Sequence, residues 1–152
     1  MDRYGWSATG VFPDEDRDTP AFTYSCGFQS TIAQPDLVIL GINPQLAHEL
    51  LRMLYQEMKS GALRLSGEGV DADGIIENFP VRLVPLSDEI VQGFAYATIR
   101  WNDSEPTVMW QVILPDRNGL FPGDPGVDPA FVRGQDPSSL IDVGPEDGEV
   151  SP

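Results

Sequence analysis

The stretch FTYSCGFQSTIAQPDLVILGINPQLAHELL, residues 22–51, decides the fold, because its thirty residues hold a strand, a glycine break, a second strand and the start of a helix. In its first part Phe22, Tyr24 and Cys26 alternate with Thr23 and Ser25, which puts the larger groups on one face of a strand over residues 21–28. Gly27 and the polar residues after it end that strand. Residues 37–42, LVILGI up to the glycine, are apolar without interruption, the pattern of a strand covered on both faces. Asn43 followed by Pro44 is a helix start: the Asn side chain can accept a free amide, and proline suits the first helical position. Stepping about 100° per residue places Leu46, Ala47, Leu50, Leu51, Leu54 and Met58 on one arc, with Arg52, Gln56 and Lys59 opposite. This amphipathic helix is expected to end at Ser60-Gly61.

Working outward, residues 6–12 form a strand that pairs with 21–28 as a hairpin, joined by the charged loop PDEDRDTP. Downstream, SGEGVDADG reads as a solvated loop, and residues 75–86 as two short strands separated by Asn78 to Pro80. Ser87 caps a second helix, with Asp88 and Glu89 at the positive end of its dipole and Ile90, Val91, Phe94, Ala97, Thr98 and Trp101 at helical spacing. Residues 107–114 form the last strand, with Val108, Trp110, Val112 and Leu114 on one face. A turn at 115–119 leads into a segment with six prolines and five glycines, which allows an ordered wrap and then an unstructured end. The expected architecture is α+β, a mostly antiparallel sheet with two packed helices and a Pro/Gly-rich C-terminal segment. Residues 1–135 form one domain and 136–152 an acidic, disordered tail.

The charge is −15, with nine basic residues scattered among 24 acids. Phosphate binding needs clustered Lys and Arg, so nucleic acid and anionic membranes are argued against. An acidic surface suits a basic protein partner through electrostatic steering, with the loops at 14–18 and 68–73 as the acidic foci. No apolar run approaches the roughly 20 residues of a membrane span, and the opening MDRYGWSATG lacks a basic segment followed by an apolar one, so a cytoplasmic location is expected.

Chemistry-bearing residues are sparse. His48 is the only histidine, so a two-histidine site is impossible; it lies at the border of the polar helix face beside Arg52 and Tyr55 and is the one weak candidate for catalysis. The lone Cys26 has no basic neighbour in sequence to lower its pKa and reads as a half-buried, unreactive thiol. Asp71 and Asp73 lack the glycine position and closing glutamate of a calcium loop. No zinc spacing and no dinucleotide fingerprint is present, so neither metal nor cofactor is expected. Trp6, Tyr24, Tyr96, Trp101 and Trp110 could line a pocket. Tyr24, Trp101 and the turn residues Asp116 and Arg117 are the candidates for ligand or partner binding.

Several spaced motifs resemble one family in order: WSATGV from Trp6, AFTYSCG from Ala21, QPDLVILG from Gln34, LAHELL from Leu46 and LPDRNGLFPGDPGVD from Leu114. They are similar to the bacterial family catalogued as domain of unknown function 4262, over roughly residues 5–135. The resemblance implies no reaction. Members of that family often carry Gly-His-Pro-Glu where this chain has Ala33-Gln34-Pro35-Asp36, so any role of that histidine is not shared. The pairing of a phenylalanine-bearing strand, a small turn and an apolar strand also resembles the split barrel of flavin-binding oxidoreductases. Two functions follow as expectations. One is a non-enzymatic binding or accessory protein with an acidic surface and an aromatic patch. The other is an enzyme or small-molecule-binding domain with a pocket between sheet and helices.

Overall fold

The computed structural model describes residues 5–11, 20–103, 105–140 and, for the backbone, 149–150. The strands are β1 (Ser7–Val11), β2 (Phe22–Cys26), β3 (Asp36–Leu40), β4 (Val70–Ala72), β5 (Val81–Pro85), β6 (Met109–Ile113) and β7 (Glu149–Val150). They form one sheet in the order β4-β5-β6-β3-β2-β1-β7. All neighbours run antiparallel except β3 and β6, which pair in parallel from Asp36 opposite Met109 to Ile39 opposite Val112. The fold is therefore α+β with a mostly antiparallel sheet. With β4 and β7 at opposite edges the sheet is open, so the likeness to a split barrel does not extend to closure.

Helices cover both faces. α2 (Pro44–Ser60) starts where Asn43 Oδ1 accepts the amides of Gln45 at 2.8 Å and Leu46 at 3.1 Å, with proline in its first turn. It ends at Gly61 in the left-handed conformation. Ala47, Leu50, Leu51, Leu54 and Met58 meet Leu37, Ile39, Leu83 and Val112 in one core. Leu46, expected on the same arc, is instead 53% exposed in the first turn of the helix.

On the other face, Phe22, Tyr24, Val38, Leu40 and Met109 pack against α3 (Asp88–Phe94) and α4 (Tyr96–Asn102). The sequence pattern is that of one helix, but Ala95 turns the backbone to φ −86°, ψ 47° and divides it. These two layers bury Leu37 to Leu40, as the unbroken apolar run requires, and β3 also opens on a buried Asp36.

Other departures are local. Residues 28–32 form the short helix α1 (Phe28–Ile32), where only a break was expected. β4 lies within the glycine-rich acidic stretch read as a loop, because Val70, Asp71 and Ala72 find partners in Leu83, Arg82 and Val81. Ile75 and Ile76 form no strand, and Ile75 is buried as a side chain in the α2 core. Val108 is 49% exposed; it precedes β6, and only Trp110, Val112 and Leu114 share the inward face. After β6 the chain forms α5 (Pro129–Gly134) and a 3₁₀ turn at Pro137–Leu140. Leu140, placed by sequence in the tail, is fully buried with Val91 and Phe94. Of the final dozen residues only the β7 pair is described, and its backbone joins β1.

Candidate functional site

The residues singled out by sequence fall in three places. His48 is half-buried on α2, its ring stacked on Trp6 at 5.4 Å and 22°, and Trp6 stacks in turn on Tyr55 at 5.5 Å. Tyr24 lies on the opposite face, fully buried beside Phe22 and Phe94. Its hydroxyl accepts the Ala97 amide at 3.2 Å. That amide belongs to the first turn of α4, whose N-cap Ala95 has no side-chain acceptor, so the tyrosine caps the helix from the sheet. Trp101, half-buried, donates its indole N–H to Ser30 Oγ at 3.0 Å and so ties α4 to α1.

Asp116 lies beyond β6 and is buried. Its Oδ1 accepts the amides of Asn118 at 2.9 Å and Leu120 at 3.0 Å, and its Oδ2 accepts that of Asp128 at 3.0 Å. The Leu120 amide, with those of Asp128 and Asn118, holds this carboxyl below its ordinary range. Asp116 thus closes the wrap into a loop across twelve positions, and the neighbouring Arg117 is exposed. His48, Tyr24, Trp101 and Asp116 do not converge on one cleft, and Trp6, Tyr24 and Trp110 are core residues rather than surface ones.

A constellation not anticipated from the sequence surrounds Asp36. Ser25 Oγ donates to Asp36 Oδ1 at 2.7 Å, and the Phe28 amide donates to the same oxygen at 2.9 Å. Gly27, the N-cap of α1, has no side chain to offer, so Asp36 supplies the acceptor from the next strand. Asp36 Oδ2 is buried without a partner among the described residues. Burial pushes this carboxyl up to about 6, against the opposing pull of the Phe28 amide, the Ser25 hydroxyl and the Gln29 amide. Nearby Cys26 is buried, and its thiol is pushed up to about 12 by burial and by the Asp36 charge, with Arg100 acting the other way. The sequence signal was an acid directly before a doubly covered strand. Among the described residues no three His, Cys, Asp or Glu side chains are grouped to hold a metal ion.

A pocket of about 260 Å³ opens at the carboxyl ends of the parallel pair β3 and β6. Leu40, Ile42 and Leu114 line it from the sheet, and Asp128, Ala130, Phe131, Gly134 and Gln135 from the wrap. Gln135 is held like an extra strand residue: its amide donates to Leu114 O at 2.8 Å and accepts the Leu114 amide at 2.7 Å.

The edge strand β4 carries the remaining chemistry. Glu68, Asp71, Asp73 and Glu77, on or beside it, are all exposed. Arg82 on β5 pairs with Asp71 at 2.9 Å and lies over the Phe121 ring at 4.1 Å. Among the described residues, the other ion pair joins Arg52 to Glu49 on α2. The second acidic focus, residues 14–18, lies outside the described residues. No helix among the described residues is long and apolar enough to cross a membrane.

Comparison with curated proteins found no match, and comparison with solved structures found none. The sequence model of one family, described as a domain of unknown function (DUF4262), matches residues 1–128, from the N-terminal strand through the wrap as far as the Asp128 cap of α5. The chain belongs to that family, DUF4262.

Proposed function

We propose that this protein is a non-enzymatic binding protein whose acidic edge at β4 receives a basic, extended segment of a protein partner. The observation that carries this reading is the position of β4. It pairs with β5 on one side, stands at the end of the sheet, and is flanked by the exposed carboxylates of Glu68, Asp73 and Glu77 beside Asp71. An edge strand offers a row of backbone donors and acceptors, and an added strand gains affinity from that ladder. Carboxylates along the edge repel a second copy of the same edge and attract Lys or Arg side chains. The surplus of 24 acids over nine basic residues gives the surrounding field the same sign.

The aromatic part of the expected surface reduces to half-buried Tyr96 and Trp101, since the other rings are in the core. A test uses a synthetic peptide alternating Lys with Val, followed by amide chemical shifts. The reading expects perturbation concentrated at residues 68–73 and loss of binding when alternate residues of the peptide are replaced by proline. Perturbation spread over all acidic surfaces, or equal binding of the proline peptide, would reject strand addition.

A further inference from the structure

The pocket at the carboxyl ends of β3 and β6 belongs to no part of the β4 edge, and its construction is specific. Close approach of two backbones forms it: a Cβ at Gly41 would lie 2.8 Å from the Gly134 carbonyl oxygen, so a side chain there would force α5 away from the strand end. Gly41 has φ +82°, a second reason for glycine at that point. A Cβ at Gly134, by contrast, would meet nothing within 4 Å, so open space lies in front of that residue. The wall behind is fixed. Gln135 makes a two-point pairing with Leu114, and Gln111 Nε2 donates to Gln135 O at 2.6 Å, so the end of α5 is tied to β6 by buried hydrogen bonds of side-chain amides. A cavity built from strand ends and a tethered helix is preformed rather than induced.

The lining fixes the chemistry. Leu40, Ile42, Leu114, Ala130 and Phe131 are apolar, and Gln135 has spent both ends of its amide on Leu114. The remaining polar side chain is Asp128. Its Oδ1 accepts the Ala130 amide at 2.9 Å, and no Lys or Arg joins the lining. A volume of about 260 Å³ lies somewhat below the usual range for drug-sized ligands, roughly 300–1,000 Å³, and above the roughly 150 Å³ cavity that takes benzene. One ring with a short chain fits.

We propose that this pocket binds a compact apolar molecule bearing a cationic group, of the arylalkylamine class, with its ring between Ile42, Leu114 and Phe131 and its ammonium at Asp128. Three probes of one size separate the contributions: phenethylamine, 2-phenylethanol and 3-phenylpropionate, titrated into the full chain with amide shifts and calorimetry as readouts. The amine binds best and the carboxylate worst, with shifts at residues 40–42, 114 and 130–135. Asp128→Asn preserves the helix cap, because Asn caps as well as Asp, and removes the amine's advantage over the alcohol, roughly two- to fivefold for a part-exposed ion pair. Gly134→Met fills the open space and abolishes binding of all three, and Gly134→Ala, which adds one methyl group, weakens it while the thermal transition is retained. Failure of all three probes to bind, a carboxylate that binds as well as the amine, or undiminished binding in both Gly134 variants overturns the proposal.

Discussion

The hydroxyl of Ser25 donates to Asp36 Oδ1 at 2.7 Å and accepts the Leu37 amide at 2.9 Å, so one side chain at the end of β2 fixes both the carboxylate and the backbone that opens β3. The same carboxylate caps α1, which joins the start of that helix to the adjacent strand ends. Three elements share one buried acid.

Asp36 makes stability depend on pH in a stated direction. Its folded pKa of about 6 lies above the ordinary 3.8, so the native state holds the proton more tightly than the unfolded chain. Its contribution is full below the unfolded value and is lost as pH rises through about 6, with an upper size of roughly 3 kcal/mol. Asp36→Asn cannot titrate. Urea midpoints at about pH 5 and about pH 7.5 should show wild type losing stability relative to the variant at the higher pH. A constant difference between the two proteins would remove Asp36 as the cause.

Two leucines on one helix should behave differently. Leu50→Ala opens a cavity under α2, where the side chain is 5% exposed, and should cost about 2–5 kcal/mol. Leu46→Ala, at 53% exposed, should stay within roughly 0.5 kcal/mol. Paired denaturation curves decide it.

Gly27→Ala should destabilise by roughly 1–3 kcal/mol or more, since φ is +111° and the added Cβ would lie 2.6 Å from the Gly5 carbonyl oxygen. Gly61→Ala also strains a left-handed residue, but its Cβ would meet nothing within 4 Å. Thermal melts should rank Gly27→Ala as the more harmful of the two.

Cys26 should resist alkylation in the folded protein at mildly alkaline pH, because the thiolate is the nucleophile and burial pushes the thiol up to about 12. Mass spectrometry after iodoacetamide treatment should show labelling only once denaturant is added. Rapid labelling of the native chain would mean that β2 opens at Cys26.

Local signals carried much of the fold. Asn43-Pro44 announced α2, and the unbroken apolar run of β3 matched its burial, whereas the alternation in β2 did not, since Thr23 and Ser25 are buried along with Phe22, Tyr24 and Cys26. What stayed hidden depends on tertiary partners. β4 is a strand only because β5 pairs with Val70, Asp71 and Ala72 in an otherwise loop-like composition, and the division at Ala95 follows Gly93 inside a run whose apolar spacing is that of one helix. Among the site residues, Asp116 was legible as the cap of its own turn, yet its reach to the Asp128 amide spans twelve residues. In sequence Asp36 stands out only as the last residue of Ala33-Gln34-Pro35-Asp36. Its burial is set by α1 and β2 together, which no local pattern encodes. The pocket depends on Gly41 meeting Gly134, 93 positions away in the chain.

If the acidic β4 edge attracts and receives a basic strand, association must be governed by charge. Stopped-flow association of the alternating Lys-Val peptide across a salt series measures this. Exposed charges are screened beyond a Debye length of roughly 8–10 Å near physiological ionic strength, so the association rate should fall steeply with salt while dissociation changes much less. Replacing Glu68, Asp71 and Asp73 by their amides should slow association at low salt and flatten the dependence. Association that is indifferent to salt, or unchanged by the three substitutions, would contradict the claim.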